Sequence, residues 1–122
     1  MTMKYYILLI FFITPFLSIA QKPGYFVFFG GDYKTESFTI KNEKVKYLKN
    51  INVSINESTS ISKDFLFFDS SFFDSQLNIR IKKNKRQIAI PLKKEITFKY
   101  VYIWYYKNKM TYEILNTPLK LE

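Results

Sequence analysis

Seven carboxylates, Asp32, Glu36, Asp64, Asp69, Asp74, Glu95 and Glu113, are the side chains of this sequence most able to do chemistry. Two carboxyl groups held roughly 5–10 Å apart suffice to hydrolyse a glycoside. A domain of this size brings some such pair together by chance, so the pair alone argues little. The chain has no His and no Cys. It therefore lacks the usual proton-transfer residue near neutral pH and the most reactive nucleophile. There is also no glycine-rich phosphate loop and no cluster of ligands at metal-binding spacing. We expect a non-catalytic protein without a cofactor.

Asp64, Asp69 and Asp74 recur every five residues through "FFDSSFFDS", Phe67 to Ser75, with Ser70, Ser71 and Ser75 between them. Such oxygens suit Ca²⁺, but a calcium loop needs six to eight of them and often a glycine at its sharp turn. The segment has no glycine. The plainer expectation is a loop between strands, in which the phenylalanines plug the core and Asp and Ser supply turns and caps.

Binding is the remaining class of function, and "YVYIWYYKNKMTYEI", Tyr100 to Ile114, is the stretch most suited to it. In an extended chain Tyr100, Tyr102, Trp104 and Tyr106 share one side, while Val101, Ile103, Tyr105 and Lys107 share the other. Ile96 and Phe98 continue the first side, which is the expected core face. The second side leaves Val101, Ile103 and Tyr105 as a short apolar patch flanked by Lys99, Lys107 and Lys109. That patch is either covered by a terminus or neighbouring loop, or is a platform for sugar rings or an apolar partner, with the lysines attracting anionic groups.

The net charge is +9, and removing residues 1–20, which hold one lysine, leaves +8. Lys outnumbers Arg by 17 to 2. Together with the abundance of Phe, Ile, Asn and Tyr, this matches an A/T-rich coding sequence as well as it matches selection for binding. Arginine forks are the usual readers of phosphate and guanine, so nucleic acid is not an expected partner. Lys82, Lys83, Lys85 and Arg86 at one hairpin tip, and Lys41, Lys44, Lys46 and Lys49 near another, suit solvated edges that discourage aggregation.

The elements that must position these residues have a period of two. Tyr25–Phe29 is an apolar run ending at Gly30, Gly31 and Asp32. Phe38 and Ile40 alternate with polar residues up to a turn at Asn42 and Glu43, after which Val45 and Tyr47 form the return strand. Ile51, Val53 and Ile55 make a further strand, followed by a polar loop from Glu57 to Asp64. Leu77, Ile79 and Ile81 pair with Ile88, Ile90 and Leu92 across Lys83-Asn84-Lys85. Ile96–Tyr106 is the longest expected strand, and Lys107-Asn108-Lys109 turns it into Thr111–Leu115. Asn suits these turns because it tolerates the left-handed backbone. Pro118 ends the ladder. Seven or eight such strands in about 100 residues predict an all-β fold, a small antiparallel sandwich of immunoglobulin-like or related Greek-key type, with a small β-barrel as the alternative.

Met1–Lys4 is short and basic, Tyr5–Ile13 is apolar, and Ser18, Ile19 and Ala20 place small residues before Gln21. This is the pattern of a signal peptide cleaved between Ala20 and Gln21. Its apolar run falls short of the roughly 20 residues that span a bilayer. The expectation is one domain, 21–122, secreted or periplasmic and without a transmembrane segment after cleavage. It would act as a binding or adhesion module for anionic polysaccharide or the cell surface. Alternatively, it is a structural subunit that docks on another exported protein through an edge strand or apolar patch.

Overall fold

The structure, a computed structural model, describes residues 23–95 and 97–120. The expected leader and its cut between Ala20 and Gln21 lie outside the described residues, as does Ile96. Eight strands make up most of the rest: β1 (Gly24–Gly31), β2 (Thr35–Asn42), β3 (Tyr47–Asn56), β4 (Ile61–Asp69), β5 (Ser75–Ile81), β6 (Gln87–Leu92), β7 (Lys99–Tyr106) and β8 (Lys109–Leu115). They form one sheet in the order β6-β5-β2-β3-β4-β1-β7-β8, nearly closed into a barrel. All neighbours are antiparallel except β1 and β7, which run parallel with Val27 opposite Val101 and Phe29 opposite Ile103. The fold is all-β as expected, and its near-closure is that of the barrel alternative.

The sequence reading reaches the number of strands by a different route, because it divides β3 in two, takes Phe67 and Phe68 as loop and assigns Phe65 and Leu66 to no element. β3 is one ten-residue strand. Its alternation is hidden at Leu48, an apolar side chain that points outward and is 66% exposed. β4 shows no alternation because it is apolar on both faces: Phe68 is buried while Phe65 and Phe67 are exposed. The polar loop expected from Glu57 to Asp64 shrinks to a turn at 57–60. β7 begins at Lys99 rather than Ile96, so β3 is the longest strand.

Turn chemistry explains the joins. The β2–β3 turn holds four residues rather than two: Asn42 pairs with Tyr47. Asn42 Oδ1 accepts the Val45 N–H at 3.2 Å, and Lys46 takes φ 55°. Between β7 and β8, Tyr106 pairs directly with Lys109, leaving Lys107 and Asn108 with φ 49° and 64°. Two successive left-handed residues make the hairpin turn whose twist matches that of the strands. In "FFDSSFFDS" the Asp69 carboxylate accepts from Ser71 N and Oγ at 3.0 and 2.6 Å, capping a 3₁₀ turn at Ser70–Phe72. Phe68 and Phe73 fill the core beside that turn, with Phe72 partly buried against them.

The interior is built from alternate residues: Tyr25, Val27 and Phe29 of β1, Phe38 and Ile40 of β2, Leu77, Ile79 and Ile81 of β5, Ile90 and Leu92 of β6, and Val101 and Ile103 of β7. The free edges of β6 and β8 face one another across a seam that no backbone ladder closes. Two tyrosine hydroxyls tie the fold at either end of it. Tyr25 donates to Lys93 O at 2.8 Å and accepts from Lys93 N at 3.0 Å. Tyr105 accepts from Asn84 Nδ2 at 2.9 Å and donates to Asn108 Oδ1 at 3.0 Å, linking the β5–β6 turn to the β7–β8 turn.

Candidate functional site

The two halves of the sheet differ in what they show to solvent. On β2 and β3 the outward residues form a polar ladder: Ser37 Oγ donates to Asn52 Oδ1 at 2.5 Å and Thr39 Oγ1 to Asn50 Oδ1 at 2.7 Å. Cross-strand pairs of this kind stabilise a solvated face. On β4, β1 and β7 the outward residues are aromatic.

The faces of β7 are therefore the reverse of the sequence expectation. Val101, Ile103 and Tyr105 are 0%, 1% and 5% exposed and belong to the core. The row Tyr100, Tyr102, Trp104 and Tyr106 looks outward. Volume decides this. In the parallel register with β1, inward Val27 and Phe29 stand beside Val101 and Ile103, so small and large side chains alternate through the narrow interior. Four large rings in that row would overfill it.

Outside, Phe26 lies against Tyr100 with ring centres 5.4 Å apart and planes 12° apart, and Phe28 against Tyr102 at 4.9 Å and 13°. Near-parallel rings at these centre distances are offset-stacked, each covering part of one face of its neighbour. Phe65 and Phe67 of β4 flank Phe26 at 5.6 and 4.8 Å, and Phe98 adds a ring at 5.6 Å. Along β7 the row continues from Tyr102 to Trp104 and on to Tyr106, at 5.9 and 6.2 Å. The result is one contiguous outer surface.

Particular contacts hold it in place. Trp104 lies over Gly30: a Cβ there would sit 2.4 Å from indole Cζ3, so only glycine leaves room for the ring. The indole N–H donates to Glu113 Oε2 of β8 at 2.8 Å. The chain after β8 folds back across the face, where Leu119 N donates to the Tyr102 hydroxyl at 2.9 Å, and Tyr102 is buried beneath. Phe65, Phe67 and Tyr106 remain exposed.

The three candidate lysines part company. Lys99 is engaged with Glu95 at 3.5 Å and also donates to Asn116. Lys107 sits in the turn, its N–H donating to Asp32 Oδ2 at 3.4 Å, with an exposed side chain. Lys109 is exposed and lies opposite Tyr106. Of these three, Lys107 and Lys109 have no ion-pair partner among the described residues and lie beside Tyr106 at the end of the aromatic row. Of the other lysines, Lys83 pairs with Glu36 at 3.2 Å, Lys41 with Glu43 at 3.3 Å, and Lys44 donates to Phe73 O at 2.5 Å.

Phe26, Phe28, Phe65 and Phe67 are the residues sequence reasoning missed. The signal was present: β1 and β4 are apolar runs without alternation, as β7 is. Three neighbouring strands apolar on both faces encode a second apolar surface. Among the described residues no three acidic side chains gather into a group that would hold an ion, and no helix is long and apolar enough to cross a membrane.

Tyrosine ionisation is opposed inside the barrel. Burial raises the pKa of Tyr25, with the nearby Glu95 carboxylate adding to the effect; burial also raises that of Tyr47. Tyr33 is raised furthest, by burial and then by Glu36. Its hydroxyl is buried without a hydrogen-bond partner among the described residues. No protein-family model matches the chain, and no similar sequence or fold was found among curated proteins or solved structures.

Proposed function

We propose that this chain is a secreted, non-catalytic binding module that docks through the outer aromatic face of β4, β1 and β7 onto an apolar surface of another exported protein. One observation carries the reading: a contiguous set of outward aromatic rings, with Phe65 and Phe67 exposed, whereas outward residues of β2 and β3 form the polar pairs Ser37–Asn52 and Thr39–Asn50. Large apolar patches on soluble proteins mark interaction sites. The crowding of Phe26 by Phe65, Phe67, Phe98 and Tyr100, with ring centres 4.8 to 5.6 Å away, favours a protein over a sugar, since a pyranose stacks on an open ring face.

Replacing Phe65 and Phe67 together by Ser leaves the interior untouched. The immobilised parent chain is expected to retain a partner from the medium of its own host at about 1 M salt, where the screening length is about 3 Å, and the double variant to lose it. Equal retention by both chains refutes the reading. Adhesion to anionic polysaccharide or the cell surface is the second reading, favoured by the net charge of +9 and by Lys107 and Lys109 beside Tyr106. It predicts retention that modest salt abolishes and that Lys107→Gln with Lys109→Gln weakens.

A further inference from the structure

β3 and β4 are consecutive strands of ten and nine residues, yet only Ile55–Ser62 and Asn56–Ile61 pair. Beyond that corner the strands part. The cause lies in β4: Phe28 opposes Phe65 and Gly30 opposes Ile61, so Ser62, Lys63 and Asp64 together face Phe29. The Ser62 hydroxyl fills in for the broken ladder, accepting from Phe29 N at 3.3 Å and donating to Asp64 O at 2.8 Å. Bulges of this kind bend a strand and end its pairing.

The parting leaves a row of unused backbone groups on each wall. Ser37 O accepts from Lys82 N on the β5 side of β2, so Ser37 and Thr39 turn their backbone groups away from β3. Their partners Asn52 and Asn50 then point away from β2, and so does Leu48. The bond from Ile55 N to Lys34 O agrees with that alternation. The N–H and C=O groups of Leu48, Asn50 and Asn52 thus face the gap at every second residue, with no ladder partner among the described residues. On the other wall the Phe29 and Gly31 N–H groups point at β4, which by the same alternation turns the backbone of Phe65 and Phe67 to the gap.

Between the walls is a cavity of about 320 Å³ with an apolar floor of Phe29, Ile51, Val53 and Leu66, and with Lys49 and Asp64 on opposite walls. The far end is bridged by Tyr47, whose ring meets Phe68 and Phe72 at 5.4 and 5.5 Å. The β6 edge offers no equivalent. Leu92 O accepts from Asp74 N on the β5 side, so Pro91, without an N–H, falls on the free edge.

We infer that the gap between β3 and β4 is a strand-addition site: an extended segment of a partner protein, apolar at every second residue, pairs with the free edge of β3 and drops a side chain into the cavity. Donors and acceptors spaced every second residue are matched by another β-strand and by little else. The gap shares Phe65 of β4 with the aromatic face, since that residue also lines the cavity, but the test of the inference reads backbone pairing on β3 rather than ring burial.

The test uses the full chain as its host exports it. The probes are synthetic peptides of the length of β3 that alternate Thr and Lys with Val, Leu, Ile or Phe, each with a twin N-methylated on every second residue. At least one peptide is expected to bind. Its twin, and separately Asn50→Pro in the protein, should weaken binding about tenfold or more, equivalent to about 1.4 kcal/mol or more. Asn50→Pro removes an N–H that the fold does not use, whereas Ile51→Pro breaks the bonding to β2 and unfolds the chain. As a second measurement, the amides of Asn50 and Asn52 should exchange rapidly in the free chain and become protected with peptide, while that of Ile51 is protected throughout. Failure of every peptide to bind, binding indifferent to N-methylation, or Asn50 and Asn52 amides already protected in the free chain would overturn the inference. The last result would assign the gap to another part of this chain or to a second copy.

Discussion

Tyr105 is the residue at which the two views of β7 make opposite forecasts. If its face were a free platform, removing the ring would cost little stability. In the structure the ring is core and its hydroxyl ties two turns together. Tyr105→Phe deletes two hydrogen bonds of 2.9 and 3.0 Å, each worth about 0.5–1.5 kcal/mol net. Asn84 and Asn108 are exposed and regain water, so the expected loss is near the lower end, about 1 kcal/mol in total. Tyr105→Ala also removes a ring and leaves a cavity, for which about 3–5 kcal/mol is typical. That is a large share of the roughly 5–15 kcal/mol that holds a domain together. Urea unfolding should show the midpoint falling slightly for Phe and steeply for Ala, with unchanged slope. The other closure offers a control. Tyr25 lies six residues along β1 from Gly31, the neighbour of Tyr105, a span of about 20 Å at roughly 3.3 Å per residue. Tyr25→Phe and Tyr105→Phe should therefore add within about 0.5 kcal/mol. A Tyr105→Ala midpoint equal to that of the parent would refute the core assignment, and a neutral Tyr105→Phe would refute the role of the hydroxyl in closing the seam.

Two further predictions concern buried polar groups. Tyr33→Phe removes a buried hydroxyl that has no partner among the described residues and should raise stability by about 1 kcal/mol, seen as a higher melting temperature. Because Tyr25, Tyr33 and Tyr47 are all raised in the folded chain, the fold favours their neutral forms. That stability is whole below the unfolded value of about 10 and is lost as pH climbs through the folded values; urea midpoints measured upward from neutral pH should be flat and then fall, less steeply in Tyr33→Phe. Asn42 is fully buried, donates to Ser75 Oγ and Gln76 O at 2.8 and 3.0 Å, and accepts from Val45 N. Asn42→Ala leaves those partners unsatisfied and should cost roughly 2–3 kcal/mol in the same assay.

What the sequence disclosed followed from where its pattern was unambiguous. The β5–β6 hairpin alternates cleanly, and of its expected inward residues Leu77, Ile79, Ile81, Ile90 and Leu92 are buried and Ile88 is half-buried against them. The Lys107–Asn108 turn was legible because Asn accepts positive φ at low cost. The pattern failed where both faces of a strand are apolar. On β7 a period of two divides the residues into rows without saying which row is inside, and bulk misleads because a narrow barrel selects the smaller row. β4 escaped notice for the same reason, since Phe65–Phe68 has no alternation to read. The strand-addition gap depends on a bulge at Ser62–Asp64 and on backbone directions, neither of which side-chain pattern encodes.

The parallel pairing of β1 with β7 also bears on how the chain folds. Val27 and Val101 are neighbours in the sheet but 74 positions apart along the chain. Closing so long a loop comes before any reward from the contact, which slows folding. Until the last third of the chain is present, the Tyr25–Phe29 run lacks one of its two flanking strands and remains prone to pair with other chains. Delivery across a membrane in an unfolded state, followed by folding of the completed polypeptide on the far side, would suit such a topology better than folding in step with synthesis.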